Sequence, residues 1–139
     1  MSDAILALDL GAARIGVAVA ERFDLPALPL TTIAHTNREA DIGAITALAL
    51  ERDATTLVVG YPLRLDGTRG PAAERVDRFV EALRARFAGE VVLVDERLTT
   101  AAASKRLAET GIKGSRQRRV IDRLAAVEIL ESYLARRRP

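Results

Sequence analysis

At 139 residues, 49% hydrophobic and 29% charged, the chain suits a single α/β domain, residues 1–139, large enough to bury a core without covalent or metal staples. The absence of cysteine excludes disulfides, thiol nucleophiles and cysteine-zinc sites, and with one histidine, His35, any catalysis has to run through carboxylates. The net charge of +2 is unevenly divided: residues 1–60 hold four Arg against eight acids, and residues 61–139 hold 17 Lys or Arg against 11 acids.

Nineteen of the 21 basic residues are arginine, whose fork matches phosphate geometry, so nucleic acid is the expected partner. No apolar run approaches the roughly 18 residues of a membrane span. No signal-peptide pattern is present either, and the expected location is the cytoplasm.

In chain order, Ile5 to Leu10 reads as a strand with apolar residues on both faces. Ile5, Ala7 and Asp9 share one face, and Leu6, Leu8 and Leu10 the other. A carboxylate at the end of such a strand is costly unless paired or metal-bound, although an Asp before Gly11 also simply opens turns. Arg14 to Ala20 returns as a second strand, and Ala27 to Ile33 makes a third, with Pro29 tolerable only at a sheet edge. His35 lies in the polar link that follows and is expected to sit on the surface.

Ile42, Ile45, Leu48 and Ala49 recur at helical spacing between Arg38 and Arg52. Thr55 to Gly60 is a short buried strand, and Tyr61 to Gly70 a loop rich in turn residues. Pro71 opens a helix whose core face is Val76, Phe79, Val80, Leu83 and Phe87. Val91 to Val94 is a strand running into Asp95-Glu96. Alternation sets Val92, Val94 and Glu96 against Val91, Leu93 and Asp95, so one acid of the pair faces Asp9, and periodicity does not say which.

A helix is expected at about 101–109, capped by Thr99 or Thr100 and ended by Gly111. The last helix, about Gln117 to Ala135, carries Asp122 on one stripe with Ala125, Ala126, Ile129 and Tyr133. The order of elements predicts a mixed sheet, three antiparallel strands and then parallel ones, with helices on both faces. Asp9 and the Asp95-Glu96 pair then lie at the carboxyl edge, where open α/β sheets bind ligands. Carboxylates from two strands and a helix, beside an arginine-rich surface, suit a phosphodiesterase with two Mg²⁺ or Mn²⁺ ions. Arg14 and Arg97, near the acids, are expected to hold scissile phosphates, and Lys113, Arg116, Arg118 and Arg119 to track a nucleic-acid backbone. Ion pairing within the protein is the alternative for each.

Four blocks occur in the order seen in the YqgF family, also called RuvX: Leu8-Asp9-Leu10-Gly11 with Arg14-Ile15-Gly16-Val17-Ala18; Val58-Val59-Gly60-Tyr61-Pro62 with Asp66-Gly67-Thr68; Val94-Asp95-Glu96-Arg97-Leu98-Thr99-Thr100; and Ile121-Asp122 with Ala125-Ala126. The sequence resembles that family over nearly its whole length. The resemblance implies a ribonuclease-H-like fold and names Asp9, Glu96 and Asp122 as the metal-binding catalytic acids, choosing Glu96 over Asp95. Asp95 would then brace the neighbouring loop.

Ala20-Glu21 replaces the family's common Ser-Asp, and Tyr61 and Arg64 replace Leu and Asn; neither departure touches the three acids. The implied activity is endonucleolytic, on the 5′ end of pre-16S rRNA or on four-way DNA junctions, by a monomer or a homodimer. Two other classes remain: nucleotide binding of the actin and sugar-kinase type, which closes two such domains around its ligand, and a module that binds nucleic acid without cutting it.

Overall fold

The computed structural model describes residues 3–99 and 114–137. Within them the order is β1 (Ala4–Leu10), β2 (Arg14–Ala20), β3 (Leu28–Ala34), α1 (Arg38–Glu51), β4 (Ala54–Tyr61), α2 (Pro71–Arg86), β5 (Glu90–Asp95), a 3₁₀ turn (Glu96–Leu98) and α3 (Ser115–Arg137). The helix expected at 101–109 lies outside the described residues, as does Lys113. No helix among the described residues is long and apolar enough to cross a membrane.

The five strands form one mixed sheet in the order β3-β2-β1-β4-β5. β1 pairs antiparallel with β2 and β2 with β3, whereas β4 lies parallel to both β1 and β5. β1 is the central strand, which is why nearly all of it is buried on both faces. Pro29, unable to donate to a ladder, sits on the edge strand β3, and the β2–β3 register shifts beside it, between Val17 and Ala18.

The two faces of the sheet carry separate cores. On one, Leu6, Leu8, Val17, Leu57 and Val59 pack against Ile42 and Ile45 of α1 and Val76, Val80 and Leu83 of α2. On the other, Ile5, Ala7, Ala18, Val58 and Val94 pack against Ala125, Ala126, Ile129 and Leu130 of α3. The small residues on β1, β2 and α3 let that single helix lie close to the strands. Truncating a fully buried anchor such as Ile129 to Ala costs about 2–5 kcal/mol.

These two faces decide where the acids point. Asp9 continues the Ile5–Ala7 row of β1, which faces α3, and Glu96, just past β5, shares the space over Gly60 with Ile129 of α3.

Candidate active site

Asp9 ends β1 and is 1% exposed; Glu96 opens the 3₁₀ turn after β5 and is 3% exposed. Asp122 approaches from the first third of α3, its side chain 14% exposed. Asp9 is paired across the sheet with Gly16. A Cβ added at Gly16 would stand 2.1 Å from the backbone oxygen of Asp122, so the missing side chain is what admits α3 beside Asp9. Gly60, on β4, does the same for Glu96: an added Cβ would stand 2.5 Å from Glu96 Oε1 and 2.6 Å from Ile129 Cδ1. Two glycines on the strands flanking β1 thus seat the other two acids.

Arg14, at the start of β2, donates from Nε to Asp122 Oδ2 at 2.8 Å. A cleft of about 900 Å³ opens over this edge, lined by the hairpin 10–15 and by Glu96, Asp122, Arg118, Arg75 and His35 among others. Arg118 stands one helical turn before Asp122, on the same face of α3. Arg116 and Arg119 are exposed but do not line the cleft.

Arg97 is engaged elsewhere. Its guanidinium holds Asp95, with Nη2 to Oδ2 at 2.8 Å, and Nη1 reaches the Leu65 carbonyl at 3.4 Å. Asp95 also accepts the Arg97 backbone N–H at 2.9 Å, and the Arg97 bonds keep its carboxyl below the usual carboxylate range. Asp95 therefore faces away from Asp9 and braces the 62–70 loop through Arg97. At the other end of that loop Tyr61 donates to Asp77 Oδ2 at 3.0 Å, which Arg69 also meets at 3.4 Å. Burial and that bond to Asp77 push the Tyr61 phenol above its ordinary value.

Two features of the cleft are not apparent from the sequence. Arg75, on the polar side of α2, lines it together with Arg118 of α3. His35, expected on the bare surface, is held at Nδ1 by the buried carboxylate of Asp41. The signal available was an acid in the first turn of α1, just after the Asn37 cap, but such acids are common for the helix dipole alone.

Carboxylate oxygens are the hard donors that Mg²⁺ and Mn²⁺ take, and two buried carboxylates at the ends of β1 and β5, on either side of β4, with a third acid on α3 suit such ions in kind. Among the described residues no three acid or histidine groups already form a metal cluster. One oxygen of Asp122, Oδ2, is bonded to Arg14.

The chain is similar to several known proteins. A protein from Syntrophus aciditrophicus bearing the name "Putative pre-16S rRNA nuclease" is 45% identical over 130 residues, 94% of this chain and 87% of its own. One of the same name from Myxococcus xanthus is 41% identical over 134 residues, 96% of this chain and 89% of its own. Among solved structures, RuvC of T. thermophilus in complex with a Holliday junction superposes with a TM-score of 0.54 at 16% identity, over 96% of each chain. The fowlpox virus resolvase bound to junction DNA gives 0.57 at 8% identity, over the whole of both chains. The fold is thus that of the ribonuclease-H-like resolvases. The RuvX family model, described as Holliday junction resolvase, matches residues 3–136, and the chain belongs to that family.

Proposed function

We propose that the protein is a metal-dependent endonuclease that hydrolyses phosphodiester bonds in structured RNA, at the 5′ end of pre-16S rRNA. What supports this reading is that Asp9 and Glu96 are buried at the carboxyl ends of β1 and β5, and that Glu96 and Asp122 line one cleft with Arg14, Arg75 and Arg118. The names of the relatives at 41–45% identity support the substrate.

Asp9, Glu96 and Asp122 would hold two Mg²⁺ or Mn²⁺ ions. Such ions, when bound, supply an activated water and charge compensation at the leaving oxygen. The residues of the chain do the rest. Asp9 and Glu96 present fixed, desolvated oxygens, so little reorganisation remains for the reaction. Arg14, bonded to Asp122, would hold a phosphate beside the acids, while Arg118 would hold a neighbouring phosphate along the same helix face. The 62–70 loop, tied down by Arg97 and Tyr61, forms the rim that the strand passes.

The family description favours a second substrate, the four-way DNA junction. Symmetric resolution needs two active sites, so that reading goes with a homodimer and the RNA reading is satisfied by a monomer. Incubating the protein with end-labelled 5′-extended 16S RNA and with a labelled junction, in Mg²⁺ or Mn²⁺ and again in EDTA, separates the two. Metal-dependent cutting of the RNA supports the first reading. Cutting of the junction alone replaces it with the second, and binding without cutting of either makes the protein a recognition module.

A further inference from the structure

His35 follows the last residue of β3, and its backbone N–H donates to the Ala13 carbonyl at 3.0 Å, which fixes it beside the hairpin that carries Arg14. Asp41, 2% exposed, contacts Nδ1 of the ring with Oδ2 and accepts the Thr36 backbone N–H at 3.1 Å with Oδ1. A carboxylate only accepts hydrogen bonds, so the ring gives it the Nδ1 proton. The neutral imidazole then carries its lone pair on Nε2, on the opposite side of the ring. The side chain is 45% exposed and lines the same cleft as Glu96, Asp122 and Arg14.

The cationic groups of the cleft supply donors. Arg14, Arg75 and Arg118 all line the cleft, and guanidinium groups suit phosphate oxygens, which only accept. An imidazole acceptor among them matches none of those oxygens. The backbone group that can donate to it, one bond system away from each phosphate, is the ribose 2′-hydroxyl, which DNA lacks.

We propose that His35, oriented by Asp41, accepts a hydrogen bond from a ribose 2′-hydroxyl of the strand in the cleft and so makes the site prefer RNA to DNA. His35 is the specificity-determining contact; Asp41 is a positioning residue that sets its tautomer. The inference rests on the nuclease reading and deepens it by naming how the sugar is told apart.

The test is equilibrium binding in EDTA, at pH 8 and one salt concentration, to a 5′-leader RNA, to the same RNA carrying single 2′-deoxy substitutions in turn, and to DNA of the same sequence. One deoxy position is expected to weaken binding to the unsubstituted protein about three- to tenfold, the range for a single hydrogen bond. His35→Ala makes that position indifferent and leaves affinity for DNA unchanged. Asp41→Asn, whose amide offers an N–H to Nδ1 and moves the ring proton to Nε2, has the same effect with His35 still present. A deoxy scan of the unsubstituted protein showing no sensitive position overturns the proposal without any variant having to fold. A sensitive position unchanged in both folded variants also overturns it, with the nuclease reading standing. No binding to either polymer overturns both.

Discussion

Gly16 of β2 lies under the backbone oxygen of Asp122, at a separation that leaves no room for a Cβ, and the same Gly16 is the cross-strand partner of Asp9. The approach of α3 to the sheet and the position of the third acid are therefore one structural fact. Gly16→Ala forces backbone against backbone, and overpacking of that kind costs about 1–3 kcal/mol or more. Gly60→Ala meets mainly the Glu96 side chain and Ile129 Cδ1, which can yield. Chemical denaturation is expected to show the larger loss in Gly16→Ala. Cleavage is expected to collapse in both variants, because each displaces an acid.

Removing a buried charge has a signature that activity assays do not see. Asp9→Asn keeps the shape and eliminates a carboxylate that is 1% exposed, so the rise in melting temperature on adding Mg²⁺ or Mn²⁺ is expected to be large in the unsubstituted protein and small in the variant. An ion at one hundred times its dissociation constant stabilises a native site by about 2.7 kcal/mol, and the variant gains little of this. Scanning calorimetry with and without metal reads both.

The arginines divide by what already holds them. Arg118 and Arg75 face the cleft, and replacing either by Ala is expected to lower the salt dependence of nucleic-acid binding by about one phosphate contact, with affinity falling uniformly across sequences. Arg97 is spent on Asp95 and the Leu65 carbonyl, so Arg97→Ala is expected to leave the salt slope unchanged and to loosen the 62–70 loop instead. Measuring log affinity against log salt for the three variants distinguishes these outcomes.

Tyr61 gives a spectroscopic handle, since the chain has two tyrosines and no tryptophan. Its phenol is raised above the ordinary value of about 10 by burial and by the bond to Asp77. The stability it contributes is fully present below the unfolded value and is lost as pH rises through the higher folded one. Ultraviolet titration is expected to show one tyrosine ionising late, and Tyr61→Phe to remove that late step.

Much of this geometry was legible in the residues themselves. Alternation put Ile5 and Ala7 on one face and set Val94 against Val91, as the two cores have them, and the stripe from Asp122 to Ile129 identified the buried side of α3. What alternation lacks is a common reference between strands. The residue pattern alone could not choose Glu96 over Asp95, and the packing of Val94 on α3 is what makes that choice in the fold. The edge position of Pro29 followed from its missing N–H, as expected.

Arg75 and His35 were opaque for a different reason. Both occupy positions that any solvated surface would fill in the same way, and only the crossing of α2 and the turn into α1 bring them to the cleft. The link between His35 and Asp41 spans six residues across a strand–helix junction, where no periodicity operates.

The central claim is that three acids carry the cleavage of a phosphodiester, and single-turnover cleavage of 5′-extended 16S RNA in Mn²⁺ by the unsubstituted protein and by Asp9→Asn tests it most directly. With equal RNA binding confirmed beforehand and both proteins shown to be folded at the assay temperature, the rate in Asp9→Asn is expected to fall by more than about 100-fold, beyond what loss of a supporting contact to a metal ligand costs. Cleavage at an undiminished rate in the variant would contradict the account.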